Sequence, residues 1–318
     1  MCAIYGFLDY GKKTSARKLK VLIRELSIAA ECRGTDATGI SYVRNGRMVT
    51  FKQPKPAHKM KLYFPHGTTA VIGHNRLTTQ GSEQKNYNNH PFEGRNAKHN
   101  FTLAHNGILY NDKEICKLYA FPQTKVETDS YAAVQFLEQE ESINMESIRH
   151  MAEIVDGTFV FTILRDDNTL FLVKGNNPLT ICRFPALGLY VYASTKEILH
   201  LALQAAKFAM PFEEIPVKTG EIMQINADGK ISRGCFNVKD DVRCCHYWQD
   251  WMSRFESAPE DDELSGLLLV CSCYGVEREE VEYLHSCGYT ADEIEEMLLD
   301  SDLFDDTLEK AKALYDAV

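Results

Sequence analysis

No stretch of this sequence approaches 18 consecutive apolar residues, so a membrane-spanning helix is not expected. The opening MCAIYGFLDYGKK lacks the basic segment and ordered apolar run of an export signal. Internal repeats and low-complexity tracts are missing, as is any basic stripe of the kind that binds nucleic acid. The ten cysteines include no C-x2-C pair. The run Cys244–His246 and the pair Cys271 and Cys273 come nearest to a zinc pattern, but their spacing is not that of a typical structural site. Free thiols in a reducing cytoplasm, with no metal and no cofactor, are the expectation.

At 318 residues, 44% hydrophobic and 25% charged, the chain can bury one large core or two modest ones. Its charge is unevenly placed. From Glu256 to the end there are 19 acidic and 3 basic residues, a net −16, which leaves the rest of the chain at +6. That asymmetry marks a boundary near residues 236–262 and predicts two domains, 2–240 and 241–318.

CAIYGFL reads as a buried strand. SARKLKVLIRELSIAAE places Leu19, Leu22, Ile23, Leu26 and Ala30 at helical spacing, with Ser15 as N-cap. Asn45-Gly46 and Asp228-Gly229 are hairpin signals. TTAVIGHNRL and FTLAHNGIL are strands, the first running into a polar loop and the second ending in Asn-Gly, and TDSYAAVQFLEQE and NMESIRHMAEIV are helices. TFVFTILR, TLFLVKG, LTICRF and LYVYAS then follow as closely spaced strands before the helix TKEILHLALQAAK. Two groups of strands with helices between them, rather than strict βαβ alternation, predict α+β layers. After residue 261 come three short helix candidates, EREEVEYLHS, TADEIEEMLLD and DDTLEKAKALYDA, with Thr290 and Asp305 placed to cap.

Cys2 is an ordinary buried thiol or, with Met1 removed, a residue carrying both a nucleophile and its own base. The freed α-amine would have a pKa near ~8, so a fraction could accept the thiol proton at neutral pH. Polar clusters stand at strand ends downstream: CRGTDATG with Arg33, GHNRLTTQG with Arg76, NNHPF, HNG with Asn106 and Gly107, and ETDS with Asp129. Each has a plain structural reading, as an ion pair, a turn or a helix cap.

Taken in order, CAIYGF, RGTDATG, GHNRLTTQG, NNHPF, HNGIL and ETDS resemble the class II glutamine amidotransferases, the N-terminal-nucleophile glutaminases. The glutaminase domain of glucosamine-6-phosphate synthase is the most similar. The resemblance covers about residues 2–235 and implies a four-layer α/β/β/α N-terminal-nucleophile fold. It implies Cys2 as nucleophile with its α-amine as base, and Asn106 and Gly107 as oxyanion hole. Arg76 would meet the glutamine α-carboxylate and Asp129 the α-ammonium. Thr79 and Leu77 would lie in the glutamine loop, and Arg33 would support the nucleophile. Leu77 and Gln80 depart from the family's Trp and His.

The resemblance further implies hydrolysis of L-glutamine to L-glutamate and ammonia, the ammonia passing to a separate synthase. No S-G-G-x-D-S loop and no phosphoribosyl-pyrophosphate signature is present, and about 80 residues after position 235 leave no room for a sugar-isomerase module. The acidic module resembles, through its helix–Gly-Tyr–helix–helix order alone, a ubiquitin-associated-like bundle that docks a protein partner. The other reading is a helical extension packed on the catalytic domain through the aromatics of HYWQDWMSRF. Two rivals remain for the whole chain: an amide hydrolase of the same superfamily acting on another substrate, and a non-catalytic glutamine sensor or scaffold.

Overall fold

A computed structural model describes residues 2–239, 276, 278–290, 293–294, 297 and 301–315. Residues 244–246, 271 and 273, which carry the zinc-like cysteine patterns, and the HYWQDWMSRF segment lie outside the described residues. The chain divides into two compact units, 1–242 and 243–318.

In the first unit the elements run β1 (Ala3–Asp9), α1 (Ala16–Ala29), β2 (Ala37–Arg44), β3 (Arg47–Gln53), β4 (Ala70–Arg76), β5 (Phe92–Arg95) and β6 (Asn100–Leu109). Three helices follow, α2 (Asp112–Leu118), α3 (Tyr131–Gln139) and α4 (Met145–Ile154). Then come β7 (Gly157–Arg165), β8 (Leu170–Lys174), β9 (Thr180–Phe184), β10 (Leu189–Ala193), α5 (Lys196–Ala205), β11 (Glu213–Glu214), β12 (Glu221–Ile225) and β13 (Ile231–Cys235). The strands form two antiparallel sheets. One has seven strands in the order β11-β9-β10-β1-β4-β2-β3, the other six in the order β13-β12-β8-β7-β6-β5.

Strand periodicity explains the layering. Along β1, Ala3, Tyr5 and Phe7 face a core shared with α1 and α5, while Ile4 and Leu8 face the other sheet. Along β7, Phe159, Phe161 and Ile163 face α3 and α4, while Val160 and Leu164 face the seam between the sheets. Side chains alternate across a strand, so a strand covered on both faces reads as one unbroken apolar run. The result is the expected four layers, helix, sheet, sheet, helix, with three apolar seams.

Local signals match the elements they predicted. Lys18 N–H donates to Ser15 Oγ at 3.3 Å, capping α1, whose Leu19, Leu22, Ile23 and Leu26 are buried. Asn45 and Gly46, both at positive φ, turn β2 into β3 as a type I′ hairpin requires. A buried relay joins three elements: Tyr5 Oη donates to Asn75 Oδ1 at 3.1 Å, and Asn75 Nδ2 donates to the Ser27 carbonyl at 2.8 Å. It ties β1 and β4 to α1.

The second unit, described by itself, contains α6 (Arg278–Ser286) and α7 (Ser301–Tyr315). Val281, Leu284, Ile294, Phe304, Leu308 and Ala311 form its small core. Thr290 N–H donates to Glu293 Oε2 and Glu293 N–H to Thr290 Oγ1, a reciprocal cap of the kind that starts a helix. The last helix begins at Ser301, one turn before the Asp305 start read from the sequence.

The seam between the sheets is the least forgiving layer, since neither wall can reach solvent. Leu172→Ala, at a fully buried seam position, should destabilise the first unit by about 2–5 kcal/mol through lost burial and an unfilled cavity. Urea denaturation reads this directly; a loss within error of zero would show that the sheets collapse together to fill it.

Candidate active site

The candidate residues gather at one end of the two sheets, where β1 begins, β4 ends and β6 passes beneath. Ala3 pairs with Asn75 in the antiparallel β1–β4 register, so one step further sets Cys2 beside Arg76. Cys2 is half-buried, its Sγ 3.5 Å from the Leu77 carbonyl. Its own carbonyl accepts Arg33 Nε at 2.9 Å, from the single 3-10 turn that extends α1. Burial pushes the Cys2 thiol above its ordinary value, and the Arg76 guanidinium works against that rise.

Arg76 is 3% exposed. Its Nη1 donates to Asn89 Oδ1 at 2.8 Å, and its Nη2 donates to the carbonyls of Gln80 and, at 3.4 Å, Gly81. Among the described residues no carboxylate forms an ion pair with it; Glu83, Asp36 and Asp129 act on it only at longer range. A buried guanidinium held by neutral oxygens alone is a costly arrangement, and it is suited to receive an anion from outside.

The RGTDATG segment braces the backbone next to it. Asp36 N–H donates to the Arg76 carbonyl at 3.0 Å, and Thr78 N–H to Asp36 Oδ2 at 2.7 Å. Leu77 and Thr79 are both exposed on the loop that follows.

Asp129 is buried at the entrance to α3, yet its carboxylate does not cap that helix. Its Oδ2 accepts Leu109 N–H at 2.6 Å, tying the start of α3 to the end of β6. Gln80 is the joint that the sequence did not reveal. Its Oε1 accepts Asp129 N–H at 2.9 Å, and its carbonyl accepts Arg76. One residue thus sets the spacing between a buried cation and a buried anion.

His105 constrains the same carboxylate. Its Nε2 lies 3.2 Å from the Thr158 carbonyl, which can only accept, so Nε2 carries the proton and Nδ1 accepts from Ser130 Oγ at 2.8 Å. The single Ser130 proton is committed there, and Asp129 Oδ1, 3.3 Å from the same hydroxyl, keeps its lone pairs.

Asn106 and Gly107 stand on β6, across from the start of β1. Ser194 links them to it: Ile4 N–H donates to Ser194 Oγ at 2.8 Å, and Asn106 Nδ2 reaches the same oxygen at 3.4 Å. Asn177 Nδ2 donates to the Asn106 carbonyl at 2.8 Å, while Asn106 Oδ1 is buried without a hydrogen-bond partner among the described residues. Gly107 has φ +147°, and a Cβ there would lie 1.8 Å from the Thr158 carbonyl, so only glycine fits. Gln80, Asn89, Ser194, Asn177 and Ser130 therefore complete a constellation of which the sequence showed Cys2, Arg33, Arg76, Asn106, Gly107 and Asp129. Asn89 carried one signal, its place in NNHPF.

Three buried histidines line this end. His74 stacks on His90 at 4.2 Å between centroids, and His74 Nε2 donates to the His105 carbonyl at 3.0 Å. Burial pushes His74 down to about 3 and drives His90 and His105 below their ordinary value, so all three are neutral. Among the described residues no group of three or more His, Cys, Asp and Glu is arranged to hold a metal ion.

A family model described as a glutamine amidotransferase domain matches residues 74–200. A curated glutamine–fructose-6-phosphate aminotransferase (isomerizing) from Bacillus cereus is 29% identical over 189 residues, 57% of this chain and 30% of that protein. Its counterpart in Staphylococcus aureus is 28% identical over 244 residues, 73% of this chain and 38% of that protein. The chain thus spans about a third of the length of these curated relatives. Among solved structures, the glutamine phosphoribosylpyrophosphate amidotransferase of B. subtilis superposes with a TM-score of 0.58 at 18% identity, over 75% of this chain and 50% of that one. A structure described as the allosteric regulatory enzyme of purine biosynthesis gives 0.59 at 18% identity, with the same coverage of both chains. These superpositions show that the fold is shared.

The neutral histidines make acid stability a readout of the site. Below about pH 6.5 the unfolded chain takes up protons at these rings that the folded chain refuses, so stability falls as pH falls, by up to about 1.4 kcal/mol per pH unit for each histidine. Both ring nitrogens of His90 lack hydrogen-bond partners among the described residues. His90→Phe should therefore flatten that slope by one proton without losing a hydrogen bond. The check is the unfolding free energy in urea from about pH 6.5 to about pH 5; an unchanged slope would place the ring in contact with water.

Proposed function

We propose that this chain carries a class II glutamine amidotransferase domain and hydrolyses L-glutamine to L-glutamate and ammonia at Cys2, a reading supported by the family model and the curated relatives. The observation that carries the reading is the buried Arg76 guanidinium beside Cys2, without a carboxylate partner among the described residues and locked through Gln80 to a buried Asp129. A cation and an anion held at fixed spacing suit the α-carboxylate and α-ammonium of a free amino acid and reject a peptide, which lacks both at one centre.

In this reading, cleavage of the Met1–Cys2 bond frees an α-amine with a pKa near ~8. The amine takes the thiol proton, directly or through a water, and the thiolate attacks the side-chain amide carbon of glutamine. Asn106 Nδ2 turns from Ser194 to the developing oxyanion, with Gly107 N–H as second donor. The C–N bond breaks as the amine returns the proton to the leaving nitrogen, releasing ammonia and leaving a γ-glutamyl thioester. Water, deprotonated by the same amine, then cleaves the thioester to glutamate and the free thiol. Arg33 holds the Cys2 carbonyl through the cycle, and Leu77 and Thr79 stand on the loop over the substrate.

Fusion of the matching segment within longer aminotransferases in the curated relatives supports delivery of the ammonia to a separate synthase. Six described cysteines, all with free thiols, support a cytoplasmic setting. Among the described residues no helix is long and apolar enough to cross a membrane. The acidic second unit is proposed as the docking site for a protein partner.

Glutamate release assayed on chain whose N-terminus has been read by mass spectrometry tests the mechanism. Cys2→Ala should lose at least about a thousandfold in kcat, and chain retaining Met1 should be as inactive. Glutamate release by Cys2→Ala at the wild-type rate would overturn the nucleophile assignment. Glutamine binding without turnover in Met1-free chain would return the sensor reading.

A further inference from the structure

Lys52 lies in β3, the edge strand of the seven-stranded sheet, and its side chain turns inward rather than to solvent. The ammonium donates to the Asn89 carbonyl and, at 2.9 Å, to the Pro91 carbonyl, and it sits 4.8 Å from the centroid of the Phe92 ring. The Lys52 carbonyl accepts Asn86 Nδ2 at 2.9 Å. One residue therefore grips residues 86–91 at both ends, by its backbone at one and its charge at the other. Among the described residues no carboxylate forms an ion pair with it; Glu93 favours the charge from a distance and Arg76 opposes it.

What this cation holds is the support of Arg76. Asn89 Oδ1 accepts Arg76 Nη1 at 2.8 Å, while Asn89 Nδ2 donates to the Glu83 carbonyl at 2.8 Å and to Asn86 Oδ1 at 3.2 Å. With its backbone carbonyl taken by Lys52, Asn89 is fixed at the main chain and at both side-chain atoms. Gly39, paired with Lys52 across β2 and β3, gives independent support. A Cβ at Gly39 would lie 2.2 Å from the His90 carbonyl and 2.8 Å from Lys52 Cβ. The last glycine of RGTDATG thus leaves the strand pair flat where the 89–91 backbone crosses it, next to the lysine that pins it.

We propose that Lys52 is a positioning residue for the substrate's α-carboxylate: its ammonium fixes the Asn89 backbone, and Asn89 in turn aims the Arg76 guanidinium. The inference rests on Arg76 as the carboxylate-binding group. A two-step support of this kind acts on binding, because Lys52 touches neither the reacting amide nor Cys2. A pH signature follows. Burial brings the Lys52 ammonium down to about 8, with Glu93 and Arg76 as the charged groups facing it and His74 and His90 neutral beside it. As the pH rises through that value the charge-assisted bonds to Asn89 and Pro91 weaken and the aim of Arg76 loosens.

Steady-state kinetics of the full, Met1-free chain with glutamine provide the test. Lys52→Met should raise KM about tenfold or more and leave kcat within about twofold, the pattern of lost binding rather than lost chemistry. Alkylation of Cys2 by iodoacetamide, which carries no α-carboxylate, should proceed at the wild-type rate. Wild-type KM should climb above about pH 8, whereas Lys52→Arg, which does not titrate there, should keep KM near the wild-type value at neutral pH and lose the climb. Titration of glutamine's own ammonium is common to every variant, so the difference between variants carries the result. If Arg76→Met leaves KM unchanged, the carboxylate assignment fails. If Arg76→Met raises KM and Lys52→Met does not, the positioning inference alone is overturned. Joint loss of kcat and alkylation in Lys52→Met would reduce Lys52 to a structural role and overturn it as well.

Discussion

A buried guanidinium that forms no ion pair with a carboxylate among the described residues organises this site. Removing Arg76 from water is expensive, and the fold meets that cost with a ring of oxygens, from Asn89, Gln80 and Gly81. Each of those oxygens must itself be held. The loop after β4 is folded back so that two carbonyls face one side chain, and Asn89 is pinned by Glu83, Asn86 and Lys52. The hairpin of β2 and β3 reaches this arrangement through Lys52, and the entry to α3 is joined to it through Gln80. A protein that needed only a stable core could have put a leucine there.

The charge also explains why the anion is where it is. Asp129 is close enough to be felt at Arg76 and too far to pair with it. Its carboxylate spends one oxygen on the β6 backbone through Leu109 and keeps the other. Direct pairing would satisfy both groups and leave nothing for a ligand. Gln80, bonded to each, keeps them apart.

Much of the fold was legible because strands covered on both faces leave unbroken apolar runs and because Ser15 and Asn45-Gly46 carry their geometry locally. Cys2, Arg76, Asn106, Gly107 and Asp129 were legible as a set, since their order along the chain resembles a known family. The supports were not. Gln80 meets Asp129 49 residues away and Ser194 meets Ile4 190 residues away, and no local pattern encodes such a meeting. Gln80 stood out only as a departure from the family's histidine, and of its two bonds only the one from its side chain to Asp129 N–H depends on that departure. Asp129 shows the converse: a carboxylate before a helix reads as a cap, and only the three-dimensional approach of Leu109 diverts it.

Cys2 leads into the sheet that carries Arg76, and Asn106 and Gly107 belong to the other, so the distance from the Cys2 sulfur to the Asn106 side chain is not set within any single sheet. It is set by the thickness of the apolar layer packed between them, with Ser194 and the His74–His105 hydrogen bond as polar ties across it. Side chains such as Ile72, Val160 and Leu172 therefore act as spacers in a gauge, and the shape of their methyl groups enters the geometry of a site none of them touches.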